Sequence, residues 1–326
     1  MIKSLPQGVV LENVNCPNGC PKDDIFVLSG CDMLHGIPGE FSIYRCRHCG
    51  LERTNPRPTA DTIGVYYPAN YGPYNSDTLA TTNFGQILKD FIRGILGLRS
   101  RNLPDVRPGR MLEIGCSSGN YMDQARSAGW IVDGIEFSPE AAAVARSKGF
   151  SVQTGSLEQL NSSISEYNMI TGWMVLEHLH EPVAALRKLR GWIKHDGFLV
   201  VSIPSAESLS RKIFGRYSYD LHLPNHLFHF APQTLNQVFE NAGWKIERVF
   251  WQRNCNTLLN SLEYWANANR RQILAKLARW LRAGTLSAPL RVMLSLLLGI
   301  TRQSGRIEVW ASPAESSQLW KAHNRR

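Results

Sequence analysis

Five of the seven cysteines lie within the first 49 residues. The pairs Cys16/Cys20 and Cys46/Cys49 form short loops, and two such loops can supply four thiolates to a tetrahedral zinc ion. Three residues separate the first pair, one more than usual, so Cys31 is an alternative ligand. We predict a structural zinc site formed by Cys16, Cys20, Cys46 and Cys49. The alternative is a ribbon-like fold with free thiols.

The segment Met111–Met122 has the residue types of a ligand-binding turn. An apolar strand runs into Gly115 and Gly119 and then into a helix, so the backbone can approach a ligand beside a helix N-terminus. Glu136 ends the next predicted strand, about 20 residues later, where a carboxylate can accept hydrogen bonds from ribose hydroxyls. The turn alone is compatible with a purely structural role. The turn and the acid together predict a nucleoside-binding fold.

Histidines cluster in one part of the chain. Five of the nine are His178, His180, His222, His226 and His229. His226 and His229 are three residues apart and share a face if that stretch is helical. We see no cysteine or acidic residue near this pair in the sequence to complete a metal site, so a proton-transfer role is favoured. The alternative for each ring is structural packing.

Alternating strands and helices position these side chains. The pattern from Arg110 to Trp251 predicts a parallel sheet covered on both faces, whose carboxyl edge binds ligands. The predicted strands are RMLEIG, WIVDGIE, FSVQTG, NMITGWMV, FLVVSIP and KIERVFW, with RIEVWAS following an insertion. We predict a zinc-ribbon-like module at 1–65, a linker with an amphipathic helix at 66–107, an α/β domain at 108–312 with a helical insertion at 253–304, and a tail at 313–326.

Several strings resemble one known family. EIGCSSG at 113–119 resembles the first motif of class I S-adenosylmethionine-dependent methyltransferases, and VLEHL at 175–179 and HDGFLVVSIP at 195–204 are similar to later motifs. CRHCGLERTNPRPT and NHLFHF resemble a bacterial subgroup that has an N-terminal zinc ribbon and methylates sugars and surface polysaccharides. The resemblance covers about 108–252 and 305–312. It implies a Rossmann-like α/β fold with a mostly parallel seven-stranded sheet.

The resemblance implies an S-adenosylmethionine site. Around the methionine moiety it puts Glu113, Gly115, Cys116, Ser117, Gly119, Trp173, Met174 and Val175. Around the ribose and adenine it puts Glu136, Phe137, Ser156 and Leu157, with Glu177 and His178 at the mouth. The family usually has Gly at position 117 and Asp at 156 and 168, so Ser117, Ser156 and Asn168 are departures that favour weaker cofactor binding.

The implied chemistry needs alignment of the acceptor and a base. A sugar hydroxyl is a poor nucleophile and benefits from a base whose pKa is near the working pH. We predict His226 or His229 as this base and His178 as a substrate-positioning residue.

The formal net charge of +9 is concentrated near the C-terminus. Residues 1–252 carry no net charge, whereas 253–304 hold eight basic residues and one acidic residue. Ile273, Leu274, Leu277, Trp280 and Leu281 follow helical spacing, with basic residues largely off that stripe. This pattern predicts either a helix that binds an anionic membrane surface or one whose stripe packs on the catalytic domain. Residues 1–65 hold six basic and seven acidic residues, which disfavours nucleic acid as a partner.

The sequence therefore predicts a cytoplasmic enzyme, because no signal peptide or apolar membrane span is present, and a peripheral position on the inner face of the membrane if the insertion binds the bilayer rather than the catalytic domain. The predicted reaction is methylation of a sugar hydroxyl of a surface polysaccharide or its precursor. The alternatives are methylation of another small molecule, such as a quinone precursor or secondary metabolite, and a non-catalytic binding protein with the same fold.

Overall fold

The computed structural model describes residues 4–68, 101, 103, 106–160 and 166–316. Its largest sheet has seven strands: β6 (Arg110–Ile114), β7 (Ile131–Glu136), β8 (Ser151–Thr154), β9 (Tyr167–Trp173), β10 (Ile193–Pro204), β12 (Trp244–Trp251) and β13 (Arg306–Pro313). Their order across the sheet is β12-β13-β10-β9-β6-β7-β8. Within this sheet β13 is antiparallel to both of its neighbours, and the other pairs are parallel. The predicted Rossmann-like fold with a mostly parallel seven-stranded sheet is confirmed.

The central strands are apolar because both of their faces are covered. Along β6, Met111 packs into one core, whereas Leu112 and Ile114 pack into the core on the opposite face. This alternation places successive side chains on opposite sides, as the strand period requires. The helices that cover the sheet or its carboxyl edge are α1 (Asn120–Ser127), α2 (Pro139–Ser147), α3 (Pro182–Trp192), α4 (Leu209–Phe214) and α5 (Pro232–Glu240).

The N-terminal residues form a second, four-stranded sheet of order β11-β4-β3-β2. Its strands are β2 (Asp24–Gly30), β3 (Phe41–Cys46), β4 (Glu52–Thr54) and β11 (Phe228–His229), and β1 (Leu11–Glu12) pairs separately with β5 (Arg57–Pro58). The strand β11 belongs to the chain after β10, so the N-terminal sheet includes a strand of the α/β domain. The stretch that holds His226 and His229 is thus a loop and a short strand, so the helix on which a shared face of this pair depended does not form.

Buried polar contacts join the N-terminal sheet to the α/β domain. The Thr54 N–H donates to the Leu227 carbonyl at 2.9 Å, and the Leu227 N–H donates to the Glu177 carbonyl at 2.8 Å. The Arg211 guanidinium lies 3.0 Å from the Glu52 carboxylate, and both side chains are 8% exposed. These contacts fix the loop before β11 from both sides.

The insertion before β13 is helical, as predicted. It contains α6 (Asn256–Ala268), α7 (Gln272–Ala283) and α8 (Ala288–Ile300). Within the described residues no single helix has the length and apolarity to cross a bilayer, although α7 and α8 together reach that length and composition with an 89° bend between them. The predicted amphipathic helix of the linker and most of the predicted tail lie outside the described residues.

The pair Glu52–Arg211 yields a stability prediction. Glu52→Gln removes the carboxylate that pairs with the buried Arg211 and with the half-exposed Arg45, so we expect the free energy of unfolding in urea to fall by about 3 kcal/mol, mainly through the buried pair. Glu40→Gln is the matched control, since Glu40 also joins the N-terminal sheet to the same region, through Arg216, but in an exposed pair. That control should lose under about 1 kcal/mol. Equal losses of unfolding free energy in the two variants would show that burial does not increase the contribution of the Glu52 pair to stability.

Candidate functional site

A cavity of about 830 Å³ opens at the carboxyl ends of the parallel strands. Its lining follows β6, β7, β8 and β9 in turn, at Gly115, Glu136, Ser156 and Met174. The N-terminal residues supply a further wall that includes His35, Ile63 and Tyr67. The cavity therefore lies where α/β sheets bind ligands, and the N-terminal segment closes one side of it.

The glycine turn brings the backbone close to the cavity. Gly115 has a φ of 66°, and a Cβ there would lie 2.5 Å from Val175 Cγ2. Gly119 has a φ of 80° and precedes α1. Ser117 has a φ of 50°, a left-handed conformation that costs a non-glycine residue about 1 kcal/mol. The departure from glycine at position 117 is thus accommodated at the cost of backbone strain.

Glu136 is held in place by the same turn. Its Oε2 accepts the Ser117 N–H at 2.7 Å, and its Oε1 accepts the Ser138 N–H at 2.8 Å. Burial raises the pKa of this carboxyl, and the backbone N–H groups oppose that shift. A carboxylate has about four acceptor positions, so acceptor capacity remains for hydroxyl groups in the cavity. This arrangement fits the ribose role expected from the sequence.

Glu113 lies behind the cavity wall rather than in its lining. The side chain is fully buried, and neither carboxylate oxygen has a hydrogen-bond partner among the described residues. Burial raises the pKa of Glu113 to about 8. A buried carboxylate without a partner suits an ammonium group that lies close to it or is linked to it through water. The methionine end of the cofactor supplies such a group. Cys116 and Gly119 also lie outside the lining, beneath the turn.

The opposite end of the cofactor pocket contains an acid, Glu158, that was not among the predicted site residues. Ser156, Leu157 and Phe137 line the cavity as expected. The Ser156 hydroxyl donates to Glu158 Oε2 at 2.7 Å, so a carboxylate stands two residues after the position where the family usually has Asp. Lys188 Nζ donates to the carbonyls of Leu157 and Glu158 and fixes this loop. The signal in the sequence was the acid of the string GSLE, Glu158, which lies close to Ser156 along the chain.

Three histidine rings pack together at the other end of the cavity. The His226 ring centroid lies 4.7 Å from that of His178 and 4.9 Å from that of His222, and all three residues line the cavity. His226 Nδ1 lies 2.8 Å from the Asp220 carbonyl oxygen, so Nδ1 carries the proton and Nε2 remains basic. Burial, then the neighbouring rings, hold the pKa of His226 well below its usual value.

An acid lies beside this ring. Glu177 Oε1 is 3.9 Å from His226 Nε2, and the Glu177 carboxylate is fully buried without a hydrogen-bond partner among the described residues. Burial raises the pKa of Glu177 to about 8. Glu177 is absent from the lining itself, so it acts on the cavity through His226 rather than at its surface.

His178 and His229 occupy different surroundings. His178 Nδ1 lies 2.8 Å from Tyr67 Oη and 3.0 Å from the Asn225 carbonyl oxygen, which orients the ring. His229 points into the interface with the N-terminal sheet, where its Nε2 lies 3.2 Å from Thr54 Oγ1, and it does not line the cavity. Of the two histidines predicted as the base, His226 therefore lines the cavity and His229 does not.

Four cysteines come together in the N-terminal module. The Sγ atoms of Cys16, Cys20, Cys46 and Cys49 all lie within 4.8 Å of one another. Gly19 and Gly50, with φ values of 74° and 76°, close the two turns. This all-sulfur set has the donor chemistry and count of a structural zinc site. Cys31 is exposed and contacts Met33 instead, so the structure does not support it as the alternative ligand.

The histidine cluster also has the residue types of a cation site. Glu177, His178 and His226 each offer a ligand atom, and these atoms lie within 4.8 Å of one another. Our expectation that no acidic residue lies near the pair His226 and His229 was wrong for His226, because Glu177 is distant from that pair in sequence but close to His226 in space. The cluster can bind either a proton or a cation at His226 Nε2, but not both.

Other cavity residues were missed because they come from distant parts of the chain. These are His35, Tyr67, Arg101, Asp220, His222 and Arg306. Burial raises the pKa of Asp220 to about 7, and burial and the His35 ring lower the pKa of His222 to about 4. Spacing along the sequence offers no signal for such contacts.

Comparison with known proteins agrees with this geometry. Residues 88–249 match the family model described as a methyltransferase domain. Ubiquinone biosynthesis O-methyltransferase of Xanthomonas oryzae pv. oryzae is 28% identical over 160 residues, which is 44% of this chain and 66% of that protein. The enzyme of the same name from Xanthomonas axonopodis pv. citri is 28% identical over 155 residues, covering 43% of this chain and 64% of that protein.

Solved structures with a similar fold include an S-adenosylmethionine-dependent methyltransferase from Mesorhizobium loti, with a TM-score of 0.43, 17% identity and coverage of 64% of this chain and 93% of that one. Magnesium protoporphyrin IX methyltransferase from Synechocystis PCC 6803 has a TM-score of 0.41 and 16% identity, and the match covers 59% of this chain and 92% of that one. The family match and the sheet order together show that this chain carries a class I, S-adenosylmethionine-dependent methyltransferase domain.

Glu136→Ala should weaken cofactor binding. Loss of the carboxylate removes its hydrogen bonds to the ribose and frees the Ser117 turn, so we expect the Kd for S-adenosylmethionine to rise about 100-fold by calorimetry. Asp133→Asn is the control, since Asp133 lies on the same strand and pairs with Arg110 outside the cavity. Unchanged affinity in Glu136→Ala would contradict the cofactor site.

Proposed function

We propose that this domain transfers a methyl group from S-adenosylmethionine to a hydroxyl of an acceptor bound at the histidine end of the cavity. The observation that carries the proposal is one continuous cavity lined by both Glu136 and His226. Glu136 marks the cofactor end, and His226 presents an unprotonated Nε2 at the other end, because its Nδ1 carries the proton. S-adenosylmethionine, when bound, supplies an electrophilic methyl group, and the residues of this chain align the acceptor and take its proton.

His226 is the proposed proton acceptor. Its Nδ1 is anchored on the Asp220 carbonyl, so Nε2 takes the proton from the acceptor hydroxyl as the methyl group is transferred. Glu177 then lies 3.9 Å from the imidazolium and stabilises its charge. His178, oriented by Tyr67 and Asn225, positions the acceptor beside His226.

A sugar hydroxyl of a surface glycan or its precursor is the proposed acceptor. The histidine end of the cavity carries many polar groups, including Tyr67, Asp220, His222 and Arg306, which suit a ligand with several hydroxyl groups. The names of the Xanthomonas relatives favour a second candidate acceptor, a quinone precursor that would receive the methyl group on an oxygen. The alignments span about two thirds of those relatives, so their acceptor serves here only as the competing substrate in an assay.

Zinc is the proposed occupant of the four-cysteine cluster. The ion would hold the two turns together at the edge of the N-terminal module. This module contributes β4, which pairs with the strand that follows His226, so the proposed ion supports the acceptor site from a distance.

His226→Gln should abolish most turnover without changing cofactor affinity. Removal of the base is expected to lower kcat about 100- to 1,000-fold, whereas His229→Gln should retain activity because His229 faces Thr54.

At pH 7 most Glu177 carries a proton, so kcat of the wild type should rise as the pH passes about 8 and the carboxylate forms. Glu177→Gln should lack this rise.

The measurement is methyl transfer from labelled S-adenosylmethionine to sugar-nucleotide and catechol acceptors across this pH range. Equal activity of wild type and His226→Gln would contradict the base assignment. Turnover that stops on removal of a divalent cation and returns on its addition would instead assign Glu177, His178 and His226 to a cation.

Cys46→Ser should remove zinc from the purified protein. We expect about one zinc ion per wild-type chain by elemental analysis, and well under one in Cys46→Ser, because a structural site needs all four thiolates. Cys31→Ser is the control and should retain the metal, since Cys31 lies outside the cluster. A wild-type protein without zinc would contradict the proposal.

A further inference from the structure

The helix α7 turns its large apolar side chains away from the protein. Ala275 and Ala278 are its buried residues, and the helix packs through this small-residue face on α6. Ile273 is 83% exposed, and Leu277 and Trp280 are also exposed. Leu281 is partly buried against a cluster that includes Leu259 and Leu298. The rest of the stripe does not pack on the catalytic domain, which was one of the two interpretations of the sequence.

The helix α8 shows the same arrangement. Leu290, Met293, Leu297 and Ile300 are exposed and recur at intervals of three and four residues, so they form one stripe. Leu286, in the turn between the two helices, is 85% exposed. Nine of the exposed large apolar residues among the described parts of the chain belong to these two helices and the turn between them, counting Leu274 and Leu286. Such a concentration marks an interaction surface rather than scattered surface residues.

The turn between the helices is held by specific hydrogen bonds. Ser287 Oγ lies 2.8–3.0 Å from the carbonyl oxygens of Trp280, Leu281 and Gly284. Arg291 Nη1 donates to the carbonyls of Leu281 and Gly284 at 2.8 and 2.6 Å. The exposed stripes are thus presented by an ordered corner of the fold.

Positive charge surrounds these stripes. Arg279 and Arg282 pair with Glu263, which is the one acidic residue of the insertion. Arg270, Arg271 and Lys276 are exposed and have no ion pair within the described residues. The segment 253–304 therefore presents uncompensated positive charge beside apolar side chains. A second copy of the same surface would bring like charges together, which disfavours a self-associated pair.

We propose that α7 and α8, with the turn at Leu286, form a docking surface for a lipid bilayer that contains anionic headgroups. The apolar side chains would enter the headgroup region, and Arg270, Arg271 and Lys276 would bind the lipid phosphates. The 89° bend and the separate stripes suit a surface contact rather than a membrane span. This inference goes beyond the proposed reaction, because it does not depend on which acceptor is methylated.

Vesicle flotation of the full chain tests the proposal. The probes are phosphatidylcholine vesicles with and without about 30% phosphatidylglycerol, a fraction chosen to give a negative surface. We expect the wild type to float with the anionic vesicles at low salt and to bind the neutral vesicles more weakly. Raised salt should reduce the bound fraction.

Two pairs of variants separate the contribution of the apolar side chains from that of the positive charges. Ile273→Asp with Leu286→Asp should lower the bound fraction at least about tenfold, whereas Val10→Asp, at an exposed apolar residue of the N-terminal segment, should not. Arg271→Glu with Lys276→Glu should lower binding to anionic vesicles, whereas Lys22→Glu with Arg107→Glu should retain it, although the change in net charge is the same.

Affinity for S-adenosylmethionine should be unchanged in all four variants, which shows that they fold. Absence of the wild type from the floated fraction at low salt would overturn the proposal. So would a dimer in light scattering that the Ile273→Asp and Leu286→Asp changes dissociate, because the surface would then belong to a second copy. Equal loss of binding in the control variants would also overturn it.

Discussion

The hydrogen bonds between the strand Glu52–Thr54 and the segment Leu227–His229 constrain the whole acceptor end of the cavity. They tie a strand of the N-terminal sheet to the chain just after His226, while the Leu227 N–H binds the carbonyl of Glu177. Because the same few residues are held from both sides, the His226 ring and the Glu177 carboxylate have little freedom to separate. The N-terminal residues thus form part of the cavity wall rather than a separate appended domain, and they supply His35 and Tyr67 to it.

Burial within this constraint determines the chemistry. A histidine in water would be partly protonated near neutral pH, but burial and neighbouring rings favour the neutral form of His226. The same burial keeps a proton on Glu177 until the pH reaches about 8. Above that pH the Glu177 carboxylate can stabilise the imidazolium that forms when neutral His226 accepts a proton from a hydroxyl. At the cofactor end, backbone N–H groups hold Glu136 and leave it acceptor capacity for hydroxyl groups.

The parts of the site that depend on local sequence could be predicted. The glycine turn and Glu136 follow from a strand, a turn and a fixed spacing, and the cysteine pairs form local turns. Contacts between distant segments could not be predicted in the same way. The role of His229 was assigned on a helical spacing, but pairing with the N-terminal sheet makes that stretch a strand. Glu177 has no distinctive spacing relative to His226, the distant residue that it contacts. Likewise, periodicity identified the apolar stripe of α7, but only the packing of Ala275 and Ala278 shows that the stripe faces outward.

The most direct test of the account is a crystal structure of the protein with S-adenosylhomocysteine. The account predicts that the ribose hydroxyls lie within hydrogen-bond distance of the Glu136 carboxylate and that the sulfur faces the part of the cavity lined by His226. A cofactor product bound elsewhere, or bound with its sulfur directed away from His226, would contradict it.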